Sequence, residues 1–184
     1  PGGSSIQIRG IAAATSNDNT FDSPIAINVD GIYLGQAAGS LLDNFDMERI
    51  EILRGPQGTL FGKNTTGGVI NVIRTRPTGE FGGKVQATIG EDGRQELRAV
   101  INTSLADNLA AKFFGTSIQS DGWMPNITLG GHNGEEDYQA YGVTFLFTPN
   151  DRFEALLTIE KMDDQSALAA YNQNFNVAPG VIPP

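Results

Sequence analysis

The chain has 184 residues, a formal net charge of −9, 23 glycines and no cysteine. The acid excess argues against nucleic acid as a partner, because phosphate binding needs clustered basic residues and the 12 Lys and Arg are scattered. Without cysteine there is neither a disulfide framework nor a thiolate metal site, and no apolar run approaches the roughly 20 residues of a membrane-spanning helix.

Such a length holds one ordinary domain or two small ones, and 39% apolar residues is enough for a packed core. Glycine is abundant, charged residues make up only 18%, and strand-forming runs occur without a clear helical stripe, so the fold is expected to be mainly β. Residues 1–82 carry 6 basic and 8 acidic residues, and 83–184 carry 6 and 13, so the acid excess belongs to the second half.

In chain order, Ser5–Gly10 alternates apolar and polar residues and reads as a short strand with Arg9 at its end. A polar loop follows. Ile25–Gly31 alternates again, turns at Asp30-Gly31 and resumes as Ile32–Leu34, the signature of a hairpin with a D-G turn. Asp46 stands where it would N-cap one helical turn, Asp46–Arg49. Next comes MERIEILRGPQGTLFGKNTTGGVINVIRTRP, Met47–Pro77, in which two β-branched runs flank a loop too glycine-rich to be a helix. Gly58, Gly62 and Lys63 invite comparison with a phosphate-cradling loop, but Gln57 stands where its first glycine belongs and Asn64 where it needs Ser or Thr. The glycines read better as suppliers of positive φ and close backbone approach.

Beyond Gly83 five alternating segments follow: Lys84–Gly90, Arg94–Leu105, Leu109–Gln119, Tyr138–Thr148 and Arg152–Met162. All but the first reach the about 9 to 11 residues of a tilted membrane strand. In the second, Leu97, Ala99, Ile101, Thr103 and Leu105 oppose Glu96, Arg98, Asn102 and Ser104; in the fifth, Phe153, Ala155, Leu157 and Ile159 oppose Glu154, Thr158 and Glu160. The third, with Phe113 beside Phe114, has no assignable outer face. Connections at Ala106–Asn108 and Pro149–Asp151 are tight, whereas Ser120–Asp137 and the tail after Asp163 are long. Short turns at one end and long loops at the other are the pattern of an outer-membrane barrel. On that pattern Asp107 and Asp151 lie at the periplasmic rim and Trp123, His132 and Glu135–Asp137 outside; a soluble β-sandwich also alternates and stays open on periodicity alone.

IQIRG, VDGIYL and the Met47–Pro77 stretch, in this order and spacing, closely resemble the plug domain of TonB-dependent outer-membrane receptors over Ser5 to about Pro77. The resemblance implies a small α+β plug domain over residues 1–82, followed over 83–184 by the first five or so antiparallel strands of a transmembrane β-barrel of about 22 strands. It further implies that Arg9 and Arg54, in IRG and LRG contexts, anchor the plug by pairing with barrel glutamates, a role suited to the planar guanidinium. Arg74 and Arg76 read as ordinary surface arginines at a strand end. Ligand contacts are expected from apical loops at Ala12–Asp22 and Gly35–Ser40, with Ser16, Asn17, Asp18, Asn19, Gln36 and Ser40 as candidates.

No metal constellation, nucleophile elbow or catalytic histidine is apparent, so neither an enzyme nor a cofactor is expected. The function implied by the resemblance is import of a scarce nutrient across the bacterial outer membrane. A ferric siderophore is first among iron chelate, cobalamin, haem and glycan. The implied partners are a TonB-type energy-transducing inner-membrane complex and outer-membrane lipid. The alternatives are a signalling receptor of the same fold and a soluble carbohydrate-binding β domain. With no initiator Met, signal peptide or TonB box, the chain reads as an excerpt of a longer protein.

Overall fold

The computed structural model describes residues 6–12, 23–34, 44–125 and 130–166. They form a small four-stranded sheet seated against one face of a five-stranded antiparallel sheet.

The small sheet begins after a hairpin of β1 (Gln7–Ile8) and β2 (Ile11–Ala12). Its members are β3 (Ile25–Val29), β4 (Ile32–Leu34), β5 (Met47–Arg54) and β6 (Gly68–Arg74), in the order β4-β3-β6-β5, with β3 and β6 parallel. Alternation in IAINV and GVINVIR turns Ile25, Ile27, Ile70 and Val72 to one face, where Ile8 covers them to make the core. On the opposite face Tyr33, Asn28, Asn71 and Glu51 fall opposite one another across all four strands. The Asn71 amide donates to Glu51 at 3.0 Å, and Asn64 donates to the Tyr33 hydroxyl at 3.0 Å.

The D-G hairpin forms as the sequence implies, with Asp30 and Gly31 at φ 49° and 82°. Three local expectations are corrected. Of the strand expected over Ser5–Gly10, the described residues 6–10 form only Gln7–Ile8, because Arg9 and Gly10, at φ 51° and 82°, are themselves a two-residue turn. The helical turn expected at Asp46–Arg49 is a 3₁₀ turn at Asn44–Asp46, and β5 starts at Met47. Asp46 does not cap it in the expected sense: its carboxylate is taken by Thr75 and Lys112. Within the glycine-rich loop, Gly58–Phe61 forms one helical turn, α1, since Gly55 and Gly62 bracket it and leave Thr59-Leu60-Phe61 free to coil.

The large sheet is a meander of β7 (Gly82–Ile89), β8 (Gln95–Ala106), β9 (Leu109–Ser120), β12 (Glu136–Asn150) and β13 (Phe153–Asp164). The long connection holds a further short hairpin, β10 (Met124–Pro125) and β11 (His132–Asn133). Turns at Asp107-Asn108 and Asp151-Arg152 are tight, at the end opposite the long loop. Register settles the third segment: Phe113 pairs with Ile101 and Val143 on the outer face, and Phe114 with Val100 and Gly142 on the inner one. Val85, Leu97, Ile101, Phe113, Tyr141, Leu157 and Ile159 make an exposed apolar outer face. It ends near the tight turns in an edge-to-face pair of Phe147 and Phe153, 6.4 Å apart. Among the described residues no helix is long and apolar enough to cross a membrane.

Candidate functional site

The inner face of the large sheet carries the chemistry, because strand periodicity sends Lys84, Glu96, Arg98, Lys112, Glu154 and Glu160 there. Two adjacent rows of paired residues cross it. One runs Lys84, Val100, Phe114, Gly142, Glu160, and the next runs Asn102, Lys112, Thr144, Thr158. The small sheet docks along these two rows.

Lys112 is the most buried of these side chains, at 1% exposure. Its ammonium donates to Asp46 Oδ2 at 2.6 Å, to the Thr75 carbonyl and, at 3.3 Å, to Thr75 Oγ1, so all three protons are used. Thr75 in turn donates from its hydroxyl to Asp46 Oδ1 and from its backbone N–H to the Asp46 carbonyl. A buried cation is tolerated only when paired and fully hydrogen-bonded, and this one is both.

Arg74 ends β6 and bridges the two sheets. Its Nε donates to Asp30 Oδ2 at 2.6 Å and its Nη1 to Glu160 Oε2 at 2.6 Å, while its backbone N–H meets Asp30 Oδ1 at 2.9 Å. Burial pulls its pKa down, but the hydrogen bonds and charges of Glu160 and Asp30 outweigh that and raise it, so Arg74 stays charged. The guanidinium lies 5.3 Å from the Phe114 ring centre, and Lys112 Nζ lies 5.6 Å from the same ring. Gly142 makes this possible: a Cβ there would stand 2.6 Å from Phe114 Cζ and 2.6 Å from the Ile159 carbonyl oxygen.

Lys112 and Arg74 together lock the two sheets, and two further contacts flank this lock. Arg76 pairs with Glu154, both about half exposed, and Lys84 Nζ sits 4.3 Å from the Phe45 ring centre. Between the locks, Val29, Leu34 and Val72 of the small sheet face Val100, Tyr138 and Ala140 across a cleft of about 140 Å³.

Arg9 and Arg54 are both exposed, and neither meets a carboxylate among the described residues. Ser16, Asn17, Asp18, Asn19, Gln36 and Ser40 lie outside the described residues. His132 is exposed on β11, and no group of acids and histidine that could hold a metal occurs among the described residues. Lys112, Phe114 and the bridging roles of Arg74 and Arg76 escaped sequence reasoning. One signal was present: a lone lysine inside LAAKFF of a membrane strand belongs on the polar face, and assigning it there also assigns Phe114.

Residues 1–69 match the family model of the TonB-dependent receptor plug domain. The chain is 25% identical over 175 residues to the vitamin B12 transporter BtuB of Vibrio vulnificus, covering 91% of this chain and 28% of the relative. It is 29% identical over 145 residues to the ferrichrome outer membrane transporter/phage receptor of Escherichia coli, covering 79% and 18%. The chain thus spans less than a third of the length of these curated relatives. Among solved structures, the ferric yersiniabactin uptake receptor FyuA from Yersinia pestis superposes with a TM-score of 0.67 at 22% identity, over 82% of this chain and 25% of that one. The small sheet corresponds to the plug and the large one to early barrel strands of the TonB-dependent outer-membrane receptors, the family of the relatives and structural neighbours that the chain matches.

Proposed function

We propose that the whole protein binds a scarce small molecule at the outer surface and imports it into the periplasm, using energy delivered by a TonB-type inner-membrane complex. The observation that carries this reading is how plug and wall are joined. Among the described residues they meet through ion pairs around Lys112 and Arg74 beside a small apolar cleft, contacts between two separate sheets, so the plug can be displaced without unfolding the wall.

A ferric siderophore is the proposed ligand class, supported by relatives named for ferrichrome and ferrioxamine. Cobalamin is the second reading, favoured by the similarity to a vitamin B12 transporter. The division into a plug over 1–82 and wall over 83–184, ligand contacts from the apical loops, and anchoring of Arg9 and Arg54 to glutamates on later wall strands belong to the same reading. Catalysis plays no part in it.

The test is growth of a strain deleted for the full-length gene on individual ferric siderophores, haem or cobalamin as the limiting nutrient. Loss of growth on one of them, restored by the gene, supports import and names the ligand. Unaltered growth and unaltered uptake of every labelled ligand would sink it.

A further inference from the structure

Asp30 and Asp46 stand at the two feet of the excursion that leaves β3 and returns as β5, and they are caught by consecutive residues, Arg74 at the end of β6 and Thr75 just past it. The backbone repeats the arrangement: Asp30 N–H donates to Val72 O at 3.0 Å, and Thr75 N–H to Asp46 O at 3.0 Å. The two cations that neutralise these feet, Arg74 and Lys112, also hold plug to wall, one through Glu160 and the other from within β9.

We propose that these groups form one clasp, so that closing the excursion from Asp30 to Asp46 and docking the plug on the wall are a single cooperative event. Arg74 shares one guanidinium between a plug acid and a wall acid, and it keeps its place over Phe114 only while both hold it. Lys112 is buried, at 1% exposure, so release of Asp46 leaves a buried ammonium without its counter-charge. Thr75 joins the two halves, since its carbonyl and hydroxyl bind Lys112 while its chain neighbour is Arg74. Pulling either foot therefore loosens the wall contact, and losing the wall contact frees both feet. The clasp gives the proposed import cycle a path from the outer part of the plug to its seat, and its existence does not depend on which ligand is imported.

Hydrogen exchange on the full-length receptor without ligand tests it, read at residues 31–34 and 44–47. Glu160→Gln, which touches neither segment, is expected to speed exchange at 31–34 and 44–47 tenfold or more. Asp30→Asn is expected to do the same at 44–47, the opposite foot. Exchange confined to 31–34 in Asp30→Asn and to 44–47 in Asp46→Asn would overturn the clasp and leave two independent contacts. Should a wall variant fail to insert, the two plug variants still decide, with β9 amides as the control for an intact wall. Import assays play no part, so failure of the clasp is distinguishable from failure of the import reading.

Discussion

The ring of Phe114 occupies the space above Gly142, where a single added methyl group would come within 2.6 Å of it. An aromatic covering a cross-strand glycine is a packing device, and here it aims the ring face at Arg74. Gly142→Ala should therefore push Phe114 aside, as overpacking does, at about 1–3 kcal/mol. Thermal unfolding of the full-length receptor should show a lower plug transition, and a lowered wall transition too, because the added methyl also meets the Ile159 carbonyl oxygen on the next wall strand. A normal plug transition would mean the ring has room to move.

Lys112→Met removes a buried cation and leaves Asp46 facing the wall unpaired. Breaking such a pair from one side typically costs about 3–5 kcal/mol, whereas replacing both partners with apolar residues is often near neutral. Lys112→Met should loosen the plug strongly in denaturant titration, and Lys112→Met with Asp46→Leu should recover most of the loss. A double variant as weak as the single one would show that Asp46 matters mainly through Thr75.

Arg74→Ala and Arg76→Ala should differ although only one residue separates them. Arg76 and Glu154 are about half exposed, so their pair is worth at most about 1 kcal/mol and should fade with salt. Arg74 is more buried and binds two acids. Antibiotic sensitivity of cells carrying each full-length variant should rise for Arg74→Ala and hardly change for Arg76→Ala. Equal effects would make the lock a diffuse charge belt.

Arg54→Ala tests the anchor assigned by resemblance. Passive permeability should rise, by an amount comparable to Arg74→Ala, if Arg54 grips a later wall strand. Unchanged permeability would confine anchoring to the Arg74 and Lys112 side of the plug.

Glu51 supplies a pH signature outside the lock. Hydrogen bonds from Arg49 and then Asn71 hold its carboxyl below the ordinary carboxylate value, against the opposing pull of desolvation. A depressed folded pKa means that this stabilisation is present above the unfolded value and is lost as pH falls through the folded one. Melting curves from about pH 6 down to about pH 3 should thus fall less steeply in Glu51→Gln than in the parent. Identical slopes would show that the Glu51 contacts are equally available to the unfolded chain.

Much of the architecture was legible in the residues alone. Period-two alternation in IAINV, in Leu97–Leu105 and in Phe153–Ile159 sets which side chains share a face, and Asp30-Gly31 sets a hairpin, because both depend only on neighbours along the chain. Tertiary structure decided the rest. LAAKFF offers no clean alternation beyond its lone lysine, and it is pairing with β8 and β12 that turns Phe113 outward and Lys112 and Phe114 inward. The lock joins Asp46 to Lys112 and Arg74 to Glu160 across long stretches of chain, and no local pattern distinguishes such an arginine from one in solvent. A side chain's face is a property of its own strand, whereas its partner across a plug and a wall is chosen by how two separate sheets meet.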